Sequence, residues 1–309
     1  MTDSLYTIRN YQPADFNKYI LLCQEAAGLK LGERPVSSGA IAEKLARPDY
    51  SPGRDLFVVE ATGSLVGYMD LKLESGIGRV VLDCWLSPQH RGKGLATKLL
   101  DGAMYRAREV RAGVLHVNIM EDNALAKAVL SRLGFEHVRR FFEFKLDMTG
   151  LNWQEANHTV QECCKLRHGE EAKLTRIQNL SFVEHWGYNP NTLETTTYRI
   201  NHSNCAPEDV FLAYEEDKVI GFCWTETYGK QEGRIFMLGV DPDNRGKGVG
   251  KRLLLAGLAH LRGKGMRVVG LTVDSDNEEA CTLYRSAGFE FCKGSLWYER
   301  AVTQDTGAG

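Results

Sequence analysis

The residues best suited to chemistry lie in one run, Val240 to Gly250, which reads V-D-P-D-N-R-G-K-G-V-G. Gly246, Gly248 and Gly250 alternate there with other residues, and Arg245 and Lys247 stand among them. Glycines let a backbone curl until successive N–H groups point into one concavity, and a following helix adds the partial positive charge of its N-terminus. Such a concavity suits a phosphate or pyrophosphate, and the two cations add charge for it. The flanks agree: Ile235 to Val240 predicts a strand leading in, and Leu253, Leu254, Leu255, Leu258 and Leu261 predict a helix leading out. A P-loop does not fit, because Gly250-Lys251 is followed by Arg252 instead of Ser or Thr. A dinucleotide fingerprint does not fit either, since its third glycine would fall on Lys251.

The run has a counterpart. Leu86 to Ala96 reads L-S-P-Q-H-R-G-K-G-L-A, and Gly92 stands 154 positions before Gly246. The same offset carries Phe57 onto Phe211, Gly67 onto Gly221, Pro88 onto Pro242, Asn123 onto Asn277 and Gly134-Phe135 onto Gly288-Phe289. One ungapped register over that span indicates an internal duplication of a whole domain. In each copy, x-x-R-G-x-G-x-[G/A] after a strand resembles the pyrophosphate loop of the GNAT (GCN5-related N-acetyltransferase) superfamily. The downstream run N-E-E-A-C-T-L-Y-R-S-A-G-F, Asn277 to Phe289, is similar to that family's last motif.

The resemblance implies acetyl-CoA as co-substrate and a primary amine of a small molecule as acceptor. It also implies the roles of particular residues. Arg245, Gly246, Lys247, Gly248, Val249 and Gly250 would hold the pyrophosphate, and Leu238, Gly239 and Val240 would hold the pantetheine arm and the thioester carbonyl. In the first copy Leu86, Arg91, Gly92, Lys93, Gly94, Leu95 and Ala96 would do the same for a second CoA. Tyr284 would protonate the departing thiolate; phenols near pKa 10 and thiols near 8.5 are close enough for modest tuning to make that feasible. A tyrosine there could equally serve to pack its helix onto the sheet. Asn277 suits a helix cap and would also touch the pantetheine. Where Tyr284 stands, the first copy has Leu130, which has no proton to give. The second copy is therefore read as catalytic, and the first as a CoA-binding or structural copy.

The proton acceptor stays open at this level. Glu226 lies on the hairpin strand beside Trp224, and Glu232 precedes the glycine-turn strand. Either could be an ordinary solvated side chain, and proton transfer through water would need neither. The tandem members that this layout resembles carry a catalytic glutamate six residues before the valine of L-G-V-D-P; that position is Arg234 here. Phe182, His185, Trp186 and Tyr188 crowd the stretch N-L-S-F-V-E-H-W-G-Y, as walls of an acceptor pocket or as a lid on the core. Trp224 is read as a further acceptor-side residue. Two rival readings remain: acetylation of a peptide or protein N-terminus, and acetyl-CoA sensing without turnover.

The elements expected around these residues are α/β: two tandem folds, each a mixed, mostly antiparallel sheet with flanking helices. The boundaries are 1–149 and 158–302, with Thr149 to Asn157 as linker and a polar tail from Thr303. In 309 residues each copy is large enough for a core. A net charge of −2 gives no sign of a nucleic-acid or anionic-membrane partner, and no apolar run reaches the length of a membrane span. Eight cysteines without C-x-x-C pairs argue against structural zinc and a disulfide framework. No metal is expected. The chain is read as cytoplasmic and, because fused copies could replace a dimer interface, as a monomer.

Overall fold

The computed structural model describes residues 5–29, 37–150 and 163–303. Most of the expected linker and nearly all of the tail lie outside them. The contacts divide the chain into two units. Unit 1 holds residues up to Ile119, Asn123–Val138 and the residues from Trp297 on; unit 2 holds Met120–Asp122 and Arg139–Leu296.

In unit 1 the elements run β1 (Thr7–Asn10), α1 (Phe16–Leu29), α2 (Ser38–Leu45), a single turn α3 (Pro52–Asp55), β2 (Leu56–Ala61), β3 (Ser64–Glu74), β4 (Arg79–Leu86), α4 (Leu95–Glu109), β5 (Val114–Met120) and α5 (Ala124–Arg132). Strands β1 to β5 lie in sheet order, antiparallel except for β4 beside β5. One face packs α4 through Leu95, Leu99, Leu100 and Ala103, and the other packs α1 through Tyr19 and Leu22.

Unit 2 repeats the plan. After β6 (Glu136–Asp147) come β7 (Cys164–Lys165), α6 (Glu171–Phe182), α7 (Leu193–Ile200), β8 (Val210–Glu215), β9 (Lys218–Tyr228), β10 (Glu232–Val240), α8 (Val249–Gly263), β11 (Val268–Asp274), α9 (Glu278–Ser286) and β12 (Glu290–Ala301). The sheet order is β6-β11-β10-β9-β8-β7, with only β10 and β11 parallel. Helices α8 and α9 cover one face through Leu253, Leu254, Leu258, Leu261, Cys281 and Tyr284. Helices α6 and α7 cover the other through Leu174, Ile177 and Ile200 against Leu212, Phe222 and Trp224.

The units depart from simple succession along the chain. Strand β6 comes from the first sequence copy, yet Phe141 to Asp147 pair antiparallel along the whole of β11. Conversely, the end of the chain returns to unit 1, where Val302 N donates to Gly113 O at 2.8 Å and Arg300 Nη1 to Leu133 O at 2.6 Å. Each final strand is long, 12 residues from Glu136 to Asp147 and 12 from Glu290 to Ala301. Helix α7 lies between the aromatic segment and β8. Its start is set by Thr192, whose hydroxyl accepts from Thr195 N at 3.1 Å while Thr195 Oγ1 accepts from Thr192 N at 3.0 Å.

Candidate active site

The glycine turn has the conformation its sequence demands. Gly246 and Gly248 sit at φ +74° and +78°, where a side chain would be strained, and Gly248 is the N-cap of α8. No side chain caps that helix, so its first backbone N–H groups stay without intrahelical acceptors. A Cβ at Gly246 or Gly248 would meet nothing within 4 Å, so the concavity is open. This cradle fits a pyrophosphate, which backbone N–H groups of residues 246–250 would hold. The Arg245 side chain is committed elsewhere: its Nη2 donates to Ser181 O at 2.9 Å at the end of α6, and its Nη1 lies 3.7 Å from Glu184. It ties the aromatic segment to the turn. Unit 1 has the same turn, with Gly92 and Gly94 at φ +74° and +75° and Gly94 capping α4. There Arg91 Nε donates to Leu86 O and Lys93 Nζ to the Tyr6 hydroxyl, both at 2.9 Å.

Strands β10 and β11 part company. Their parallel ladder covers only Glu232 to Arg234 against Val268 to Gly270, although β10 runs on to Val240 and β11 to Asp274. Leu238, Gly239 and Val240 lie on the splayed stretch. At its foot is a β-bulge: Ile235 pairs with Thr225 and Met237 with Trp224, which leaves Phe236 without a partner on β9. Hairpin length explains the bulge. Both hairpins span the same number of residues, but the connection shrinks from residues 75–78 in unit 1 to 229–231 in unit 2. The residue gained by β10 has no opposite number and is extruded. In unit 1 the β3–β4 register is continuous, although β4 and β5 also part after Leu82 and Val117.

Tyr284 lies beside this opening. It shares its core with Leu238 and Val240 of β10 and Val273 of β11, and its ring makes an edge contact with Phe289 at 5.9 Å. Only 7% of it is exposed. Burial, with the Cys223 and Cys281 thiols nearby, pushes the phenol above its ordinary value of 10.0, so it keeps its proton at neutral pH. Asn277 caps α9, accepting from Ala280 N at 3.0 Å, as Asn123 does for α5.

The opposite face of the sheet carries the candidate acceptor side. Gly239 lets α6 approach: a Cβ there would sit 2.8 Å from Ser181 Cβ and 2.9 Å from Phe182 Cε2. Beyond Phe182 the chain folds into a tied segment. Tyr188 stacks on Phe182 at 5.3 Å and donates to Asn179 Oδ1 at 2.9 Å, which also accepts from Asn191 N. His185 lies 4.8 Å from the Phe182 ring. Burial first, then the Arg245 guanidinium, lowers the His185 pKa below the ordinary 6.5, while Asp274 and Glu184 pull it up. The imidazole thus stands between the glycine turn and the end of β11. Trp186 contacts Phe141 of β6 at 6.1 Å.

Trp224 needs correction. It is 1% exposed and donates its indole N–H to Cys205 Sγ at 2.9 Å, so it belongs to the core and not to a pocket wall. The two glutamates separate as well. Glu226 is buried and accepts from the Tyr228 hydroxyl. Glu232 opens β10 opposite Val268, at the closed end of the ladder, roughly 13 Å of strand before Phe236 at about 3.3 Å per residue. Arg234 points along the splay, its Nη2 donating to Thr272 Oγ1 at 2.7 Å.

In unit 1 the equivalent face is filled from within. Asp70 and Asp83, opposite each other on β3 and β4, stand at the offset positions of Trp224 and Met237. Lys44 of α2 places its ammonium 2.5 Å from Asp70 and 3.8 Å from Asp83. Tyr50 and Tyr68 donate to the same two carboxylates at 2.6 and 3.2 Å. Leu130 is buried among the core residues under α4.

Two glycine-turn cradles and two parted parallel strand pairs, with Tyr284 buried in the core beside the second, are the geometry expected of a tandem acyltransferase. Residues 31–135 and 173–289 match the model of the acetyltransferase (GNAT) family, and the chain belongs to that family. It is an N-acetyltransferase by class, with acetyl-CoA as its co-substrate. Among curated relatives, the mycothiol acetyltransferase of Stackebrandtia nassauensis is 30% identical over 246 residues, which cover 77% of this chain and 79% of the relative. Among solved structures, a GCN5-related N-acetyltransferase from Sphaerobacter thermophilus superposes with a TM-score of 0.73 at 21% identity, over 98% of both chains. A tandem GNAT protein from the clavulanic acid biosynthesis pathway gives 0.73 at 17%, over 97% of this chain and 99% of its own. At these identities the two structures speak to the fold alone. No helix among the described residues is long and apolar enough to cross a membrane.

Proposed function

We propose that unit 2 transfers the acetyl group of acetyl-CoA to a primary amine of a small molecule, and that unit 1 is a CoA-binding or structural partner. The observation that carries this reading is the parted β10–β11 pair, with the unpaired Phe236 at its foot and Tyr284 beside it. Acetyl-CoA supplies an acyl thioester. Backbone N–H groups of residues 246–250 hold its pyrophosphate, and the free edge of Leu238 to Val240 holds the pantetheine arm. The unpaired backbone at Phe236 provides an N–H for the thioester carbonyl oxygen. Tyr284 gives its proton to the departing thiolate as the C–S bond breaks and the C–N bond forms. Its raised pKa keeps it protonated at neutral pH, and transfer to the less basic thiolate requires that bound acetyl-CoA bring the two pKa values closer together.

For the proton leaving the amine, Glu226 is assigned as acceptor in preference to Glu232. It lies on the acceptor face one strand from the bulge, whereas Glu232 lies at the closed end of the ladder. Phe182, His185 and Trp186 bound the entrance, and the Asn179 ties that hold this segment down favour a small acceptor over an extended peptide. Likeness to mycothiol acetyltransferase supports a small-molecule acceptor related to mycothiol. The test is CoA thiol release across aminosugars, cysteinyl conjugates, polyamines and short peptides. Release with a small amine and not with peptides is expected; release with peptides alone would replace this reading by N-terminal acetylation.

A further inference from the structure

The acceptor face holds two opposite charges that decline each other. Arg234 and Glu226 are directly paired in the β9–β10 register, so their side chains leave the sheet on the same face about 5 Å apart at Cβ. Opposite charges in that position normally pair. Here they make no ion pair among the described residues. Glu226 takes the Tyr228 hydroxyl, and Arg234 turns the other way, across the foot of the splay, to Thr272 Oγ1 at 2.7 Å on β11. The Arg234 Nε–H is buried and has no acceptor among the described residues. Thr272 is exposed and Arg234 half-buried, so the outer nitrogens of the guanidinium reach solvent.

Among the described residues no carboxylate forms an ion pair with Arg234. Arg199 of α7 adds a second guanidinium, 3.9 Å above the ring of Phe236, the bulged residue. Both arginines are within electrostatic reach of the Tyr228 hydroxyl. Glu232 shares this face of β10 but sits two residues further from the bulge than Arg234 does. A carboxylate and a guanidinium held side by side and unpaired match a ligand that brings both charges. Glu226 faces an ammonium, and Arg234 faces an oxyanion. Arg234 precedes Phe236 by two residues, about 7 Å of strand, so the oxyanion would lie a few bonds from the reacting nitrogen.

We propose that the acceptor of unit 2 is an amine that also carries an oxyanion, a carboxylate or a phosphate, and that Arg234 holds this oxyanion. The inference rests on the transfer reading above, and names the substrate class of that same site.

The test compares matched pairs: glycine with glycinamide, O-phosphoethanolamine with ethanolamine, and glucosamine 6-phosphate with glucosamine. The wild-type protein is expected to favour the anionic member of at least one pair by about 10- to 100-fold in kcat/KM, chiefly through KM, the scale of one hydrogen-bonded charge contact. The pairs also separate carboxylate from phosphate. Arg234→Gln should erase the preference, and Arg234→Glu should reverse it. A preference that survives Arg234→Gln, or no preference in the wild type, overturns the proposal. Calorimetric binding of the same pairs to the CoA-saturated protein separates the two readings. Binding of the anionic amine that Arg234→Gln abolishes, without turnover, would sink the transfer reading and sustain Arg234 as the anion site. Binding indifferent to Arg234 would sink the anion site itself. A thermal melt checks that each variant is folded.

Discussion

His185 illustrates how placement changes the meaning of a residue. As part of an aromatic stretch it reads as one wall of a pocket. In the fold, burial and the neighbouring Arg245 guanidinium favour its neutral form. A histidine with a folded pKa below the unfolded value binds fewer protons when folded, so its contribution to stability is present above about pH 6.5 and is lost as pH falls through the folded pKa. A pH titration followed by NMR is expected to place the His185 midpoint below 6.5, and His185→Gln should flatten the acid limb of the stability profile. A midpoint above 6.5 would contradict the geometry. Tyr284 and Asn277 were legible at this scale because the N-x-x-A-x-x-L-Y spacing fixes a cap and a buried helical face together. Trp224 was not: its alternation with Glu226 gives a face but not a depth, and α6 and α7 bury that face.

At the scale of elements, the candidate site depends on how closely helix and strand approach. Gly239 is one tight point, with Phe222, Ser181 and Phe182 all within 3 Å of where a Cβ would be. Gly239→Ala is expected to push the end of α6 and the aromatic segment away from β10. The cost should be about 1–3 kcal/mol in stability, the usual range for overpacking, and the acceptor KM should rise. Denaturant melts and steady-state kinetics check both; an unchanged melt would mean that the segment yields freely. The glycine turns were legible because alternating glycines between a strand and a helix leave few conformations. The bulge at Phe236 was not read from the sequence, although its cause is there: the second hairpin keeps its length while its connection loses a residue. Helix α7 is hard to read from the sequence for another reason. Its run L-E-T-T-T-Y-R-I is short and rich in β-branched threonine, and its capping box uses Thr195 where a glutamate would have been recognised.

At the scale of the whole molecule, the 154-residue offset shows two copies but not how they are built. Sequence order suggests that each copy keeps its own last strand. The fold instead gives β6 to unit 2, where it covers the edge of β11, and returns the residues after Trp297 to unit 1. Periodicity is local, and nothing local distinguishes a strand that pairs at home from one that pairs with the other copy's strands. The exchange has a consequence for dissection. A fragment of residues 158–303 leaves β11 an open edge from Val268 to Asp274, an aggregation-prone template. It is expected to unfold without cooperativity or to aggregate, whereas a fragment beginning at Glu136 should melt cooperatively. Equal melts for the two would contradict the strand assignment.

The central claim is that the parted strands of unit 2, with Tyr284 beside them, carry acetyl transfer. The most direct measurement is amine-dependent CoA release by the wild-type protein and by Tyr284→Phe, with acetyl-CoA affinity measured on both. The expected result is a loss of about 100-fold or more in kcat, the scale of a general acid, with acetyl-CoA bound nearly as tightly as before. Wild-type turnover in Tyr284→Phe would contradict it and return Tyr284 to a packing role.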